Sequence, residues 1–316
     1  MSLDIIFLGT SSAIPTTSRW LPSIAIIRRG KVFLMDCGEG TQIRMLRMGI
    51  SPLKVDTIMI THSHGDHFFG LLGLLQTMNI LSRRDPLQIV ASSKIIEFVE
   101  TGLELTESIM GFELNFYETV EGFKLRRNDV TIEAFKVEHT DDSFGYIIRE
   151  DDVWGEFIPE KALSLGVPMG PLWKKLQRGE EIVLEDGRIV TSSMVTKGIK
   201  RGLKIVYTGD TRPSENTIRA ARGADILIHD STFTSDRLER AMETLHSTAR
   251  EAALIARAAN VKLLILTHIS ARYTSPVSLL RDSVEVFKPV VVACDLLRVN
   301  VRRVDKNSIL WRLDLP

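Results

Sequence analysis

The sequence predicts a mixed α/β fold, and three features carry that prediction. Short β-branched apolar runs recur along the chain, helical apolar spacing separates some of them, and the runs close on polar or glycine-containing turns. The segment "DIIFLGTSS" opens the series, and "SIAIIRRGKVFLMDCGEG" reads as two strands joined about Arg29 and Gly30. "VDTIMITH" is a third strand, and the apolar spacing of "FFGLLGLLQTMNILSRR" suits a buried helix. Later strands are expected at "VTIEAFKVEH", "LKIVYTGD", "ADILIHD" and "VKLLILTH".

Residues 151–202 have a different texture. A short helix is expected after Pro159, a bend at "GVPMGP", a second short helix in "LWKKLQR", and a hairpin in "EEIVLEDGRIV" turning at Asp186-Gly187. The stretch reads as an insertion projecting from a single domain that spans residues 1–316. The basic tail "LLRVNVRRVDK" is compatible with RNA binding or with the end of a strand pair, and the strand pair is the favoured reading.

Composition bounds the function classes. Hydrophobic residues make up 44% and charged residues 25%, which fits a folded globular chain and excludes a disordered one. Forty basic residues balance forty acidic ones, so the chain does not bind nucleic acid by overall charge, although a local basic patch remains compatible. The segment "MSLDIIFLGTSS" lacks the basic start and apolar stretch of a secretion signal, and no run approaches a membrane span, so a cytoplasmic protein is expected. With only Cys37 and Cys294, a cysteine-built zinc knuckle is excluded, and any metal must be held by histidine and carboxylate.

The chemistry is concentrated in "THSHGDH", residues 61–67, which holds three of the seven histidines. In an extended segment His62 and His64 point the same way, and Asp66 and His67 follow where the chain turns into a helix. The spacing therefore supplies two adjacent half-sites. Four later apolar runs end at or near metal-capable side chains, His139, Asp210, Asp230 and His268, and strand-end loops of layered α/β folds converge on one crevice. Imidazole and carboxylate suit zinc, manganese or iron. A donor set without cysteine points to two metals with room for water, for which Asp210 would be the bridging carboxylate. His246, in "TLHSTAREAALIARAA", stands at the entrance of an amphipathic helix begun by the histidine, Ser247 or Thr248. His229 reads as a buried residue or a support for the donors.

These residues resemble the metallo-β-lactamase superfamily, whose His-x-His-x-Asp-His motif stands here at His62 to His67. Within it, "FLGTSSAIPT", "DCGEGTQ", "HSHGDHFFGLLGLL", "YTGDT", "HDSTF", "HSTAREAA" and "THISARY" occur in the order found in the ribonuclease Z family, endonucleases that trim the 3′ trailer from precursor tRNA. The resemblance implies an αββα sandwich binding two Zn2+ per subunit, with Mn2+ or another divalent ion as a substitute. It implies that His62, His64, His139 and Asp210 hold one ion and Asp66, His67, Asp210 and His268 the other. It further implies a homodimer acting on precursor tRNA, with residues 151–202 as an exosite arm gripping the tRNA body.

By the same resemblance Asp66 doubles as the base for the attacking water, and His246, paired with Asp230, is the general acid. Lys174, Lys175 and Arg178 in the arm, with Arg19 and Arg272 nearer the cut, are the expected RNA contacts. Two departures stand out. The family's Pro-x-basic-x-Arg-Asn loop reads Pro15-Thr16-Thr17-Ser18-Arg19-Trp20, and its His-Glu-Ala-Thr reads "HDST", which puts Asp230 in the glutamate's place.

The alternative is a hydrolase of small phosphodiesters or related esters on the same fold, and the arm separates the two because such enzymes usually lack it. A di-iron redox role is disfavoured by His64, where glutamate is common, and a non-enzymatic binding protein by the full donor set with His246.

Overall fold

The computed structural model describes residues 2–305 and 308–316. Two β-sheets lie face to face with helices outside each, giving four layers in the order α, β, β, α. The first sheet has eight strands in the order Ile309–Asp314, Arg298–Arg303, Ser2–Gly9, Ser23–Arg28, Lys31–Met35, Val55–Met59, Leu87–Ala91 and Leu114–Glu118. The second has seven, in the order Val290–Val292, Leu263–Thr267, Ile226–Asp230, Lys204–Tyr207, Phe144–Glu150, Val130–Lys136 and Lys124–Arg127.

Burial on both faces explains why the strands read as unbroken apolar runs. Ile5 and Phe7 face the second sheet, where they join Ile226, Ile228, Leu263 and Ile265. Their neighbours Ile6 and Leu8 face outward, against Leu71, Leu74, Leu75 and Met78 of the helix Leu71–Ile80. On the far side, Val206, Leu227 and Leu264 pack against Ala249, Ala252, Ala253 and Ala256 of the helix Ala249–Ala258. Alanines let that helix lie close to the sheet, while each fully buried Leu, Ile or Phe contributes about 1.5–3 kcal/mol.

The strands Lys204–Tyr207, Ile226–Asp230 and Leu263–Thr267 are mutually parallel, so their C-terminal ends open on one edge of the sandwich. Val55–Met59 also ends there, since Phe144 N–H bonds to Thr61 O just beyond it. Between them Gly209 takes φ +59°, and a Cβ on it would come within 2.8 Å of Thr61. Only glycine allows the two loops to meet this closely.

One expected helix is divided. Phe68 ends a separate short helix, Gly65–Phe68, and the long one begins at Leu71. At the break Gly70 docks on the backbone of Cys37 and Gly38, where a Cβ would meet Gly38 O at 2.1 Å. The strand pair about Arg29-Gly30 is present, and the tail strand Arg298–Arg303 pairs with both Ser2–Gly9 and Ile309–Asp314. Lys306 of that tail lies outside the described residues.

Residues 151–202 form a unit with its own core. Val153–Trp154 pairs with Ile199–Lys200 as a two-stranded stalk. Beyond it, the helices Pro159–Ser164, Pro171–Gln177 and Ser192–Val195 and the hairpin Ile182–Val183/Ile189–Val190 bury Ala162, Val167, Leu176, Ile182, Val190 and Val195 together.

Candidate metal centre

The open edge gathers the histidine and carboxylate donors in one place. His62 Nε2 and His139 Nε2 lie 3.0 and 3.2 Å from His64 Nδ1, and 3.7 and 3.8 Å from Asp210 Oδ2. On the other side of Asp210, His67 Nε2 is 3.3 Å from Oδ2 and His268 Nε2 is 3.3 Å from Oδ1. Asp66 Oδ2 stands 3.7 Å from His67 Nε2 and 3.6 Å from His268 Nε2. Three overlapping donor groups result among the described residues, His62/His64/His139/Asp210, Asp66/His67/His268 and Asp210/Asp230/His246/His268, with Asp210 lying between the first two.

Supporting bonds set four of the five donor rings. Thr61 Oγ1 lies 3.0 Å from His62 Nδ1, Asp36 Oδ2 2.8 Å from His67 Nδ1, Leu245 O 2.9 Å from His139 Nδ1, and Thr232 Oγ1 2.9 Å from His268 Nδ1. Each fixes one ring nitrogen and leaves the other aimed inward. His268 takes φ +57° and Asp36 φ +57°, a backbone region few non-glycine residues adopt and which the surrounding structure must hold. Asp36, Thr61 and Thr232 carry no signal that singles them out in the sequence, although Asp36 stands in "DCGEGTQ".

The donors fit a cation. His67 Nε2, His268 Nε2 and Asp210 Oδ1 are buried and have no hydrogen-bond partner, a costly arrangement for a polar atom unless something positive satisfies them. The charge balance agrees. Burial keeps His62 and His139 below the usual imidazole range. Burial also opposes charge on His67 and His268, but Asp210 and the neighbouring carboxylates outweigh it, holding His67 well up and lifting His268 to about 10. Asp210 and Asp66, which burial alone would push up, are instead held below the carboxylate range by those imidazoles, and Asp230, against the same effect of burial, is held down by His246 and His268. The pocket is built to contain positive charge.

Beside the donors, His246 Nδ1 lies 3.0 Å from Asp230 Oδ2, and its ring stacks 5.1 Å from that of His268. Asp230 is fully buried and also accepts from Thr211 N, Thr232 N, Thr232 Oγ1 and Ser247 N. Thr248 caps the helix that follows, with Glu251 closing a capping box. His229 is fully buried, its Nδ1 2.8 Å from Asp230 O, and belongs to no group of metal-capable donors among the described residues.

The expected RNA contacts divide. Lys174, Lys175 and Arg178 are exposed on and just after the arm helix Pro171–Gln177. Arg272 is exposed, with its guanidinium 5.1 Å over the ring of Phe233, which in turn lies 6.3 Å from the His246 ring. Arg19 is placed differently: it is largely buried, and its Nη1 donates to Thr10 Oγ1 at 2.6 Å and to Ala293 O at 2.8 Å, so it anchors the loop 13–20.

A two-sheet sandwich flanked by helices, with this donor edge, defines a protein of the metallo-β-lactamase fold. Residues 177–269 match the family described as "Beta-lactamase superfamily domain", and residues 3–154 match "Anti-Pycsar protein Apyc1". Ribonuclease Z of Methanosarcina acetivorans is 41% identical over 300 residues, covering 95% of this chain and 98% of that protein. Ribonuclease Z of Bacillus subtilis is 38% identical over 306 residues, covering 95% and 100%. The crystal structure of human tRNase Z, short form, is similar with a TM-score of 0.67 at 25% identity, covering 93% and 98%. The chain belongs to the ribonuclease Z family.

Proposed function

We propose that this chain is an endoribonuclease that removes the 3′ trailer from precursor tRNA by phosphodiester hydrolysis, leaving a 3′-hydroxyl on the tRNA. It works as a cytoplasmic homodimer with two Zn2+ per subunit, for which Mn2+ or another divalent ion can substitute. The observation that carries this reading is the His246–Asp230 pair beside seven convergent donors, in a chain about as long as its ribonuclease Z relatives.

His62, His64, His139 and Asp210 would hold one ion, and Asp66, His67, Asp210 and His268 the other. Bound there, the pair of cations supplies electrophilic charge at the phosphoryl group and a more acidic water. Asp66 accepts that water's proton. Ala13 N–H fixes its Oδ2 from one side at 3.0 Å, and His268 faces it from the other. The water oxygen bonds to phosphorus as the bond from phosphorus to the 3′-oxygen breaks, so the phosphate stays with the trailer. His246 gives its proton to the departing 3′-oxygen from Nε2, since Asp230 occupies Nδ1 and orients the ring.

The arm supplies affinity away from the chemistry. Lys174, Lys175 and Arg178 are exposed cations that neutralise phosphates of the tRNA body, and Arg272 serves nearer the cut. The arm also separates this reading from that of a small-phosphodiester hydrolase. The test is incubation with precursor tRNA carrying a 3′ trailer, with and without chelator, beside a simple phosphodiester. Chelator-sensitive release of the trailer is expected. Rapid turnover of the small ester with the RNA left intact would favour the alternative.

A further inference from the structure

The loop that carries His246 leaves the helix Leu238–Glu243 through Leu245, whose φ of +55° closes a left-handed cap in which His246 N donates to Ala241 O. Beyond that turn, side chains of other loops bond two consecutive carbonyls. Leu245 O accepts from His139 Nδ1 at 2.9 Å, and His246 O accepts from Arg212 Nη1 at 2.6 Å. The Arg212 guanidinium is itself clamped by Glu251, with Nη1 2.9 Å from Oε2 and Nη2 2.5 Å from Oε1. Glu251 Oε2 also takes Thr248 N and Thr248 Oγ1 at the start of the helix.

The backbone at Thr211-Arg212 extends the tie. Arg212 N donates to Glu138 O and Glu138 N to Thr211 Oγ1, while Ser247 Oγ donates to Thr211 O. One dipeptide, directly after Asp210, thus binds the loops of His139, Asp210 and His246 together.

We propose that Arg212 is the positioning residue of the proton donor, seating the His246 ring on Asp230 through its grip on the His246 carbonyl. The inference rests on reading His246 as the general acid. The planar fork is needed because one guanidinium must meet a carbonyl and both oxygens of a carboxylate at once, and a lysine ammonium offers no such geometry.

A structural tie and a positioning role differ in their dependence on the leaving group. A tRNA 3′-oxygen needs a proton to depart, whereas p-nitrophenolate does not. Arg212→Gln is expected to lower kcat on precursor tRNA about a hundredfold, the scale of lost acid catalysis. KM should stay within about twofold, and turnover of bis(p-nitrophenyl) phosphate should fall less than about threefold. Zinc content, measured on the same preparations, should be unchanged. Added to His246→Ala, Arg212→Gln should cost nothing further, since both remove one function. Arg212→Lys should fail to rescue and provides the same contrast if the glutamine variant does not fold. Glu251→Gln, which can still cap the helix, should show a weaker version of the same selectivity.

Equal loss on both substrates, or an additive loss in the double variant, would overturn the proposal. If His246→Ala itself leaves RNA cleavage intact, the general-acid reading fails and this inference with it. If His246→Ala is impaired but Arg212→Gln is not, only the inference fails.

Discussion

Asp36 Oδ2 lies 2.8 Å from His67 Nδ1, with both side chains completely buried. The same carboxylate accepts from Thr61 N, Thr61 Oγ1 and Tyr207 Oη, so it is a fixed acceptor that dictates which His67 nitrogen faces the donors. Replacing Asp36 with asparagine puts an amide donor where only acceptors fit. We expect metal affinity to fall about 10- to 100-fold, the usual cost of losing such a partner. Titration against a chromophoric chelator checks this, and unchanged affinity would show that His67 is oriented by other means.

His246→Ala should lower turnover of precursor tRNA by about 10²–10⁴. Zinc content should stay at the wild-type level, since every donor assigned to the ions remains. Asp230→Asn should follow it in kind, because the imidazole loses the carboxylate that orients it. Single-turnover cleavage beside elemental analysis distinguishes this from loss of metal.

Charge reversal in the arm should act on binding alone. Changing Lys174, Lys175 and Arg178 together to glutamate should raise KM for precursor tRNA and flatten its salt dependence by roughly 0.7–0.9 for each phosphate that is no longer neutralised. Hydrolysis of a simple phosphodiester should be unaffected. An unaltered salt slope would mean that these exposed cations do not meet the RNA.

Chelation should destabilise the fold as well as stop the chemistry, since the buried His67 and His268 nitrogens lose what satisfies them. A ligand at a thousand times its Kd adds about 4 kcal/mol. A Tm that falls on dialysis against chelator and returns with zinc is the expected result.

At the opposite end of the strand that leads to His62, Asp56 accepts two bonds from Arg127, at 2.8 and 3.1 Å, and links the two sheets. Burial would raise the Asp56 pKa, but the Arg127 hydrogen bonds, with help from Thr57, hold it below the ordinary carboxylate value. A depressed carboxylate pKa stabilises the fold above the unfolded value and loses that contribution as pH falls through the folded one. Arg127→Gln should therefore cost about 1–2 kcal/mol at neutral pH, and the difference from wild type should shrink below about pH 4. Urea unfolding at neutral and acid pH measures it.

The parts of the site that can be read in the sequence are those written locally. His62, His64, Asp66 and His67 are contiguous, and His139, Asp210, Asp230 and His268 each follow an apolar run, so parallel strand ends bring them together. Asp36 cannot be found this way, because its role depends on a partner 31 residues distant and on a left-handed backbone that no side-chain pattern announces. The anchoring role of Arg19 is hidden for a related reason. An arginine in a polar loop reads as solvent-facing, and the contact that buries it comes from Ala293, 274 positions away. The strand Leu87–Ala91 is not legible because five residues carry too little periodicity, and the helix at 68–84 reads as too long because the break depends on Gly70 touching Gly38.

The arm's separate core has an evolutionary consequence. Because Ala162, Val167, Leu176, Ile182, Val190 and Val195 pack among themselves and the stalk is two strands wide, the unit can be lengthened, trimmed or exchanged without repacking the sandwich. Changes within the unit need not disturb the donor edge, and an engineer could graft a foreign module at Val153 and Lys200 for the same reason.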